Sequence, residues 1–188
     1  MIKYSDRECI VRYLSITIFL TVTSLWAVPA FPADGDVIDL LQGYEWQLPE
    51  EKLRLIGPDV YKPLLAIADD EQQVNFIRAR AALALTIFPN DEVLEYFERE
   101  ITLGKDSLRR RQLVQDFCTA FLQRNPAKVE SMLIPLLKEP DARLRSNAAR
   151  CLQEVDSDES KKALTSYGAT ISETWEARAA GFKPELKM

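Results

Sequence analysis

The chain has 188 residues, 47% of them apolar, with 24 basic and 29 acidic side chains for a net charge of -5. That length and balance suit a globular domain with its own core and exclude a disordered chain. The acidic balance argues against a general binder of nucleic acid or anionic lipid, and the absence of histidine removes Ser-His-Asp and Cys-His nucleophile activation, His-bound zinc and the usual base near neutrality.

Residues 1–30 read as an address. Lys3, Arg7 and Arg12 precede an uncharged run, Leu14 to Val28, and Val28-Pro29-Ala30 offers a small-residue site. A positive start, an apolar run of that length and such a site make a secretory signal peptide, with cleavage expected after Ala30 or, second, after Ala33. The run is short for a bilayer core and interrupted by Ser15, Thr17, Thr21, Thr23 and Ser24, so a membrane is a partner only if the segment is left uncleaved. Without it, 21 basic and 27 acidic side chains remain, a balance of -6. The expected location is periplasmic or secreted. Cys118 and Cys151 are then the two cysteines left, in a compartment that permits disulfides. Spacing leaves open whether they are bridged.

Residues 31–57 are expected to form an N-terminal cap, with short helices at Asp36 to Gln42 and Pro49 to Leu55. From residue 58 to 156 one pattern recurs. Arg78 is followed by Ala81, Ala82, Leu85 and Phe88; Arg110 by Leu113, Val114, Phe117 and Ala120; Arg145 by Ala148, Ala149, Leu152 and Val155. Apolar residues at +3, +4 and +7 share one face of a helix. The three arginines lie 32 and 35 residues apart, a period that marks stacked helical repeats. Another amphipathic helix precedes each of these: Pro58 to Ala68, Asp91 to Thr102 and Pro126 to Lys138. Turns are marked by Phe88-Pro89-Asn90-Asp91, Gly104-Lys105-Asp106 and Glu139-Pro140-Asp141.

The stretch Ile134 to Leu152, with Pro135-Leu136-Leu137, Asp141 at the turn and then Leu144-Arg145-x-x-Ala148-Ala149-x-x-Leu152, resembles a HEAT repeat. Val60 to Leu85 is a looser copy with a longer turn, and the middle copy carries bulky Leu113 and Val114 where the family prefers small residues. The resemblance is to a family that includes eukaryotic transport and phosphatase scaffolds and bacterial phycobilin-lyase-like proteins. It implies an all-α fold, a right-handed α-solenoid of HEAT-type helix pairs with capping helices, whose second helices line a concave surface. A last helix over 157–180, with Leu164, Tyr167, Ile171 and Trp175 inward, is expected to cap the array, and 181–188 to be a tail.

Two sets of arginines stand out. Arg78, Arg110 and Arg145, with Asp141, are expected to form a structural ladder in which each arginine bonds an acid of a neighbouring turn, among Asp69, Asp70, Asp106 and Asp141. Arg80, Arg109, Arg111, Arg143 and Arg150 fall on second helices, and Asp91, Glu92, Glu95, Glu98, Glu100 and Glu130 on first helices. The resemblance thus implies a basic inner face, and Arg80, Arg109, Arg111, Arg143 and Arg150 are the candidate contacts for a protein or acidic-peptide partner. Asp91, Glu95 and Glu98 share a helical face, which reads as solvated surface and not as a calcium site. Tyr44, Trp46 and Trp175 are read as core aromatics near the caps. No Gly-rich phosphate loop, nucleophile elbow or CxxC is present, so no cofactor, metal or catalytic residue is expected. The expected role is a protein–protein interaction or scaffolding module; a phycobilin-lyase-like or carboxylate-dependent enzyme is the alternative.

Overall fold

The structure, a computed structural model, describes residues 34–183; the expected signal peptide, its cleavage sites and the end of the tail lie outside the described residues. The described residues are all-α, without strands. Helices α1 (Asp34–Leu41) and α2 (Glu50–Ile56) are followed by a 3-10 turn (Pro58–Val60). Then come α3 (Tyr61–Asp69), α4 (Asn75–Leu85), α5 (Asp91–Leu103), α6 (Ser107–Phe121), α7 (Pro126–Leu136), α8 (Ala142–Leu152), α9 (Asp158–Thr170) and α10 (Thr174–Ala179).

Polar residues at the turns set where the middle helices begin. Asn90, Asp106, Asn125, Asp141 and Ser157 are N-caps, each accepting a hydrogen bond from an otherwise orphaned N–H of α5, α6, α7, α8 and α9 in turn. Pro126 follows Asn125 at the first helical position, where its missing N–H is harmless. At the end of α5 the chain turns so tightly that a Cβ on Gly104 would collide with the Glu100 carbonyl oxygen. That turn requires glycine.

Helices pack in consecutive pairs, α3 on α4, α5 on α6 and α7 on α8. The second members also touch one another, α4 on α6 and α6 on α8, while α3 touches α5. The recurrent apolar positions are the reason. Ala81, Ala82, Leu85, Leu113, Val114, Phe117, Ala148, Ala149 and Leu152 are all buried, with Val93, Phe97, Ile101, Val129 and Leu133 of the first helices against them. Tyr96, Phe97, Phe117 and Phe121 form a continuous aromatic cluster, with ring centroids 5.3–6.2 Å apart. Each fully buried ring contributes about 1.5–3 kcal/mol of apolar transfer free energy. The bulky Leu113 and Val114 of the middle copy are as fully buried as Ala81 and Ala82 of α4.

The ends differ from expectation in one place. Where one helix is expected from 158 to 180, there are two, because Ile171 and Glu173 adopt extended backbone. The break turns α10 onto α8. Leu164 and Tyr167 are buried, but Trp175 is 45% exposed. Docking of α9 is polar: Glu130 of α7 accepts from the Ser157 hydroxyl, the Ser160 N–H (3.0 Å) and the Ser160 hydroxyl (2.7 Å). These donors, the two hydroxyls foremost, hold the Glu130 pKa below the ordinary range.

Cys118 of α6 and Cys151 of α8 are joined in a disulfide, with Cα atoms 6.0 Å apart and a sequence separation of 33. A cross-link of that span restricts the unfolded chain by about 3–4 kcal/mol. Reduction, or the double change Cys118→Ser and Cys151→Ser, is therefore expected to lower the unfolding free energy from urea titration by that amount, with a lower midpoint, while far-UV circular dichroism stays helical. An unchanged midpoint would show that the bridge adds nothing to stability.

Candidate functional site

The arginines of the recurring pattern close the helix pairs from within. Arg78 Nε donates to the Ala68 carbonyl near the end of α3 (3.3 Å), and Arg110 Nε to the Ile101 carbonyl near the end of α5 (2.7 Å). Arg145 Nη1 donates to the Glu139 and Pro140 carbonyls just beyond α7 (2.7 and 3.0 Å). Arg78 and Arg110 thus satisfy carbonyls that α3 and α5 leave unpaired, and Arg145 satisfies two in the turn after α7. The acidic partners are Glu139 for Arg110 (2.9 Å) and Glu176 for Arg145 (2.7 Å), both from the following unit. The expected acids are engaged elsewhere: Asp69 with Arg99, Asp70 with the Gln72 N–H, Asp106 as the α6 cap, and Asp141 with Arg111. Burial disfavours the Asp141 carboxylate, but Arg111 and two backbone amides outweigh it and hold its pKa low.

Arg109, Arg110 and Arg111 point to three different neighbours, as consecutive residues 100° apart on a helix must. Arg109 Nη2 donates to the Ala68 carbonyl (2.7 Å) and the Tyr96 hydroxyl (2.8 Å), and its Nε lies 3.3 Å from Glu100. Arg111 reaches forward to Asp141 through two nitrogens, at 2.7 and 2.6 Å. Arg80 donates to the carbonyls of Leu41 and Gly43 and lies between the rings of Trp46 and Phe76. Arg143 and Arg150 are exposed, and among the described residues no hydrogen bond or ion pair holds their side chains. Of the five arginines proposed to meet a partner, these two present uncommitted guanidinium groups.

Two adjoining hollows lie along the second helices. One, about 680 Å³, opens between α4, the C-terminal end of α5 and α6, with Arg78, Ala79, Ala82, Leu103, Lys105, Leu113 and Asp116 among its lining. The other, about 400 Å³, lies between α6, α8 and α10 and is walled by Arg111, Gln115, Arg143, Asn147 and Trp175. Leu108 (70% exposed) and Gln112 belong to both. A larger hollow of about 900 Å³ sits at the C-terminal end against Lys138, Lys162 and Glu159. Its floor is a closed network, with Glu176 accepting from both Arg145 and Tyr167. Among the described residues no buried side-chain nitrogen or oxygen of this lining lacks a hydrogen-bond partner, whereas the hollow between α4 and α6 holds one that does, in Asp116, and this favours the second-helix face.

Comparison with family models, with curated proteins and with solved structures gives no match to this chain. Among the described residues no group of three or more Cys, Asp or Glu is placed to hold a metal ion, and no helix is long and apolar enough to cross a membrane. Of the acids on α5, Glu98 is paired with Lys128 at 2.7 Å. Tyr44 is fully exposed, and Trp46 is half-buried with its Nε1 donating to the Leu40 carbonyl (2.9 Å).

Asp116 is the residue that sequence reasoning passed over. It is 3% exposed; Oδ1 accepts from Gln112 Nε2 (3.1 Å), and Oδ2 is buried with no hydrogen-bond partner. Burial pushes its pKa up to about 6, the Gln112 bond opposing only weakly. A signal existed: Asp116 is one position from Phe117, three from Leu113 and four from Ala120, an acid inside an apolar stripe.

Two outcomes follow from these contacts. Arg145→Ala strips Glu176, itself 4% exposed, of its cation, and should cost about 3–5 kcal/mol, read as a fall in the thermal midpoint. A loss below about 1 kcal/mol would mean that water replaces the pair. Asp116 behaves oppositely to a paired acid. Its folded pKa lies above its ordinary value, so the fold takes up the proton first, and this residue's contribution to stability rises as pH falls from about 6 towards 4. Asp116→Asn should therefore stabilise the protein at pH 7.5 by about 1–3 kcal/mol and have no such benefit at pH 4. Equal effects at both pH values in urea titrations would contradict a penalised carboxylate.

Proposed function

We propose that the chain is an exported HEAT-type repeat protein that binds a protein partner on the face formed by α4, α6, α8 and α10. The HEAT reading rests on the residues themselves: the Pro-Leu-Leu and Leu-Arg-x-x-Ala-Ala-x-x-Leu motifs and the repeating pairs. Second helices touching one another along the array support an α-solenoid with this face on its inner side, and the right hand comes from the HEAT resemblance. Export is supported by the N-terminal signal pattern together with the Cys118–Cys151 bridge, since disulfides persist in oxidising compartments.

The observation that carries the binding role is the pair of adjoining hollows, edged by exposed Leu108 and Trp175 and by the uncommitted Arg143. An exposed aromatic beside a free guanidinium is a favoured anchor for a protein contact. The acidic-peptide contact of this reading falls to Arg143, because Arg109 and Arg111 are neutralised within the fold by Glu100 and Asp141. A scaffold role requires no reaction, and nothing on this face assembles a nucleophile with a base.

The test is affinity capture by the full chain from the envelope fraction, with the eluate compared across variants. Arg143→Glu combined with Trp175→Ala should reduce recovery of the bound protein at least 10-fold without lowering the thermal midpoint. Glu95→Lys, on the face of the first helices, should leave recovery intact. Equal recovery with all three proteins would remove the second-helix face as the binding surface.

A further inference from the structure

The hollow between α4 and α6 combines a cavity, an apolar wall and an acid with one oxygen unpartnered. Ala79 and Ala82 of α4 and Leu113 of α6 supply the wall. Asp116 supplies the acid, its Oδ2 buried and unpaired. Five cations line the hollow; exposed Lys105 does not bond Oδ2, and the four arginines are held elsewhere. Arg78 is held on the Ala68 carbonyl, Arg99 on Asp69, Arg109 on Glu100 and the Ala68 carbonyl, and Arg110 on Glu139 and the Ile101 carbonyl. A buried carboxylate left half-satisfied is costly, and a donor brought from outside would remove that cost.

We propose that this hollow receives a basic side chain of the partner polypeptide, its methylene stem against Ala79, Ala82 and Leu113 and its ammonium or guanidinium paired with Asp116. This rests on the partner-binding reading above and adds the chemistry of one contact. The stem matches the apolar wall, as lysine and arginine bury their methylenes while keeping the head group paired. The exposed Gln112, anchored on Oδ1, is the side chain that gives way as the cation reaches Oδ2. With Arg143 in the neighbouring hollow, the partner would present a base to one hollow and an acid to the next. That alternation sets the orientation in which it binds.

The probe is n-pentylamine, which carries a lysine-like stem and ammonium, titrated into the full chain and followed by amide chemical shifts. Saturable shifts at Ala79, Ala82, Leu113 and Asp116 are expected. They should weaken at least 10-fold in Asp116→Asn and be absent with 1-pentanol, which shares the stem but not the charge. Equal responses to amine and alcohol, or an unaltered response in Asp116→Asn, would overturn the assignment. In parallel, Asp116→Asn is carried through the envelope capture. Loss of the captured protein in both Asp116→Asn and the Arg143/Trp175 variant supports the proposal. Capture sensitive to Arg143 and Trp175 but indifferent to Asp116→Asn overturns the basic-side-chain contact and leaves the partner-binding reading standing. Capture indifferent to all of them defeats that reading, whatever the amine does. Amine binding that depends on Asp116, with capture unaffected by Asp116→Asn, gives the hollow to a free small amine and overturns its assignment to a partner.

Discussion

A helix that stops and turns back leaves carbonyl oxygens without partners, and in stacked pairs those ends fall where water has limited access. The chain answers this with one device used three times. An arginine in the first turn of the second helix reaches back to the end of the first: Arg78 to Ala68, Arg110 to Ile101, Arg145 to Glu139. Because each guanidinium also has donors to spare, Arg110 and Arg145 reach forward to Glu139 and Glu176 of the next unit. The same side chain therefore fixes both the angle within a pair and the spacing to its neighbour. The apolar stripes supply the driving force for stacking, and the arginines decide the register in which it occurs.

This division explains what was legible in the sequence. Helix limits followed from the turns at Phe88 to Asp91, Gly104 to Asp106 and Glu139 to Asp141, since turn and cap chemistry is local. The buried faces followed from spacing, and Ala81, Leu113, Phe117 and Leu152 lie where the pattern puts them. Partners of the arginines did not follow. Proximity in sequence favoured Asp69, Asp106 and Asp141, but those carboxylates cap helices or meet Arg99 and Arg111, and the acids that serve Arg110 and Arg145 come from 29 and 31 residues downstream. The break before α10 was also hidden, because Ile171 and Trp175 continue the apolar spacing while the backbone between them is extended.

The expectation of a basic inner face needed the same correction in scale. Five arginines on second helices suggested a strongly cationic surface, yet formal charge is a poor guide where guanidinium groups are spent on carbonyls and carboxylates. Arg80 is enclosed by two rings and two carbonyls, Arg109 by Tyr96 and Glu100, and Arg111 by Asp141. Of these five arginines, Arg143 and Arg150 keep uncommitted guanidinium groups among the described residues.

The bridge between Cys118 and Cys151 ties α6 to α8, and these two helices are opposite walls of the smaller hollow. The larger hollow lies between α6 and α4, which no covalent link joins. One half of the face is thus cross-linked between its walls, whereas no disulfide joins the walls of the other. A ligand entering the cross-linked half meets walls already tied together and loses less entropy to ordering them. Redox state would then act on recognition and not on stability alone, by removing that tie.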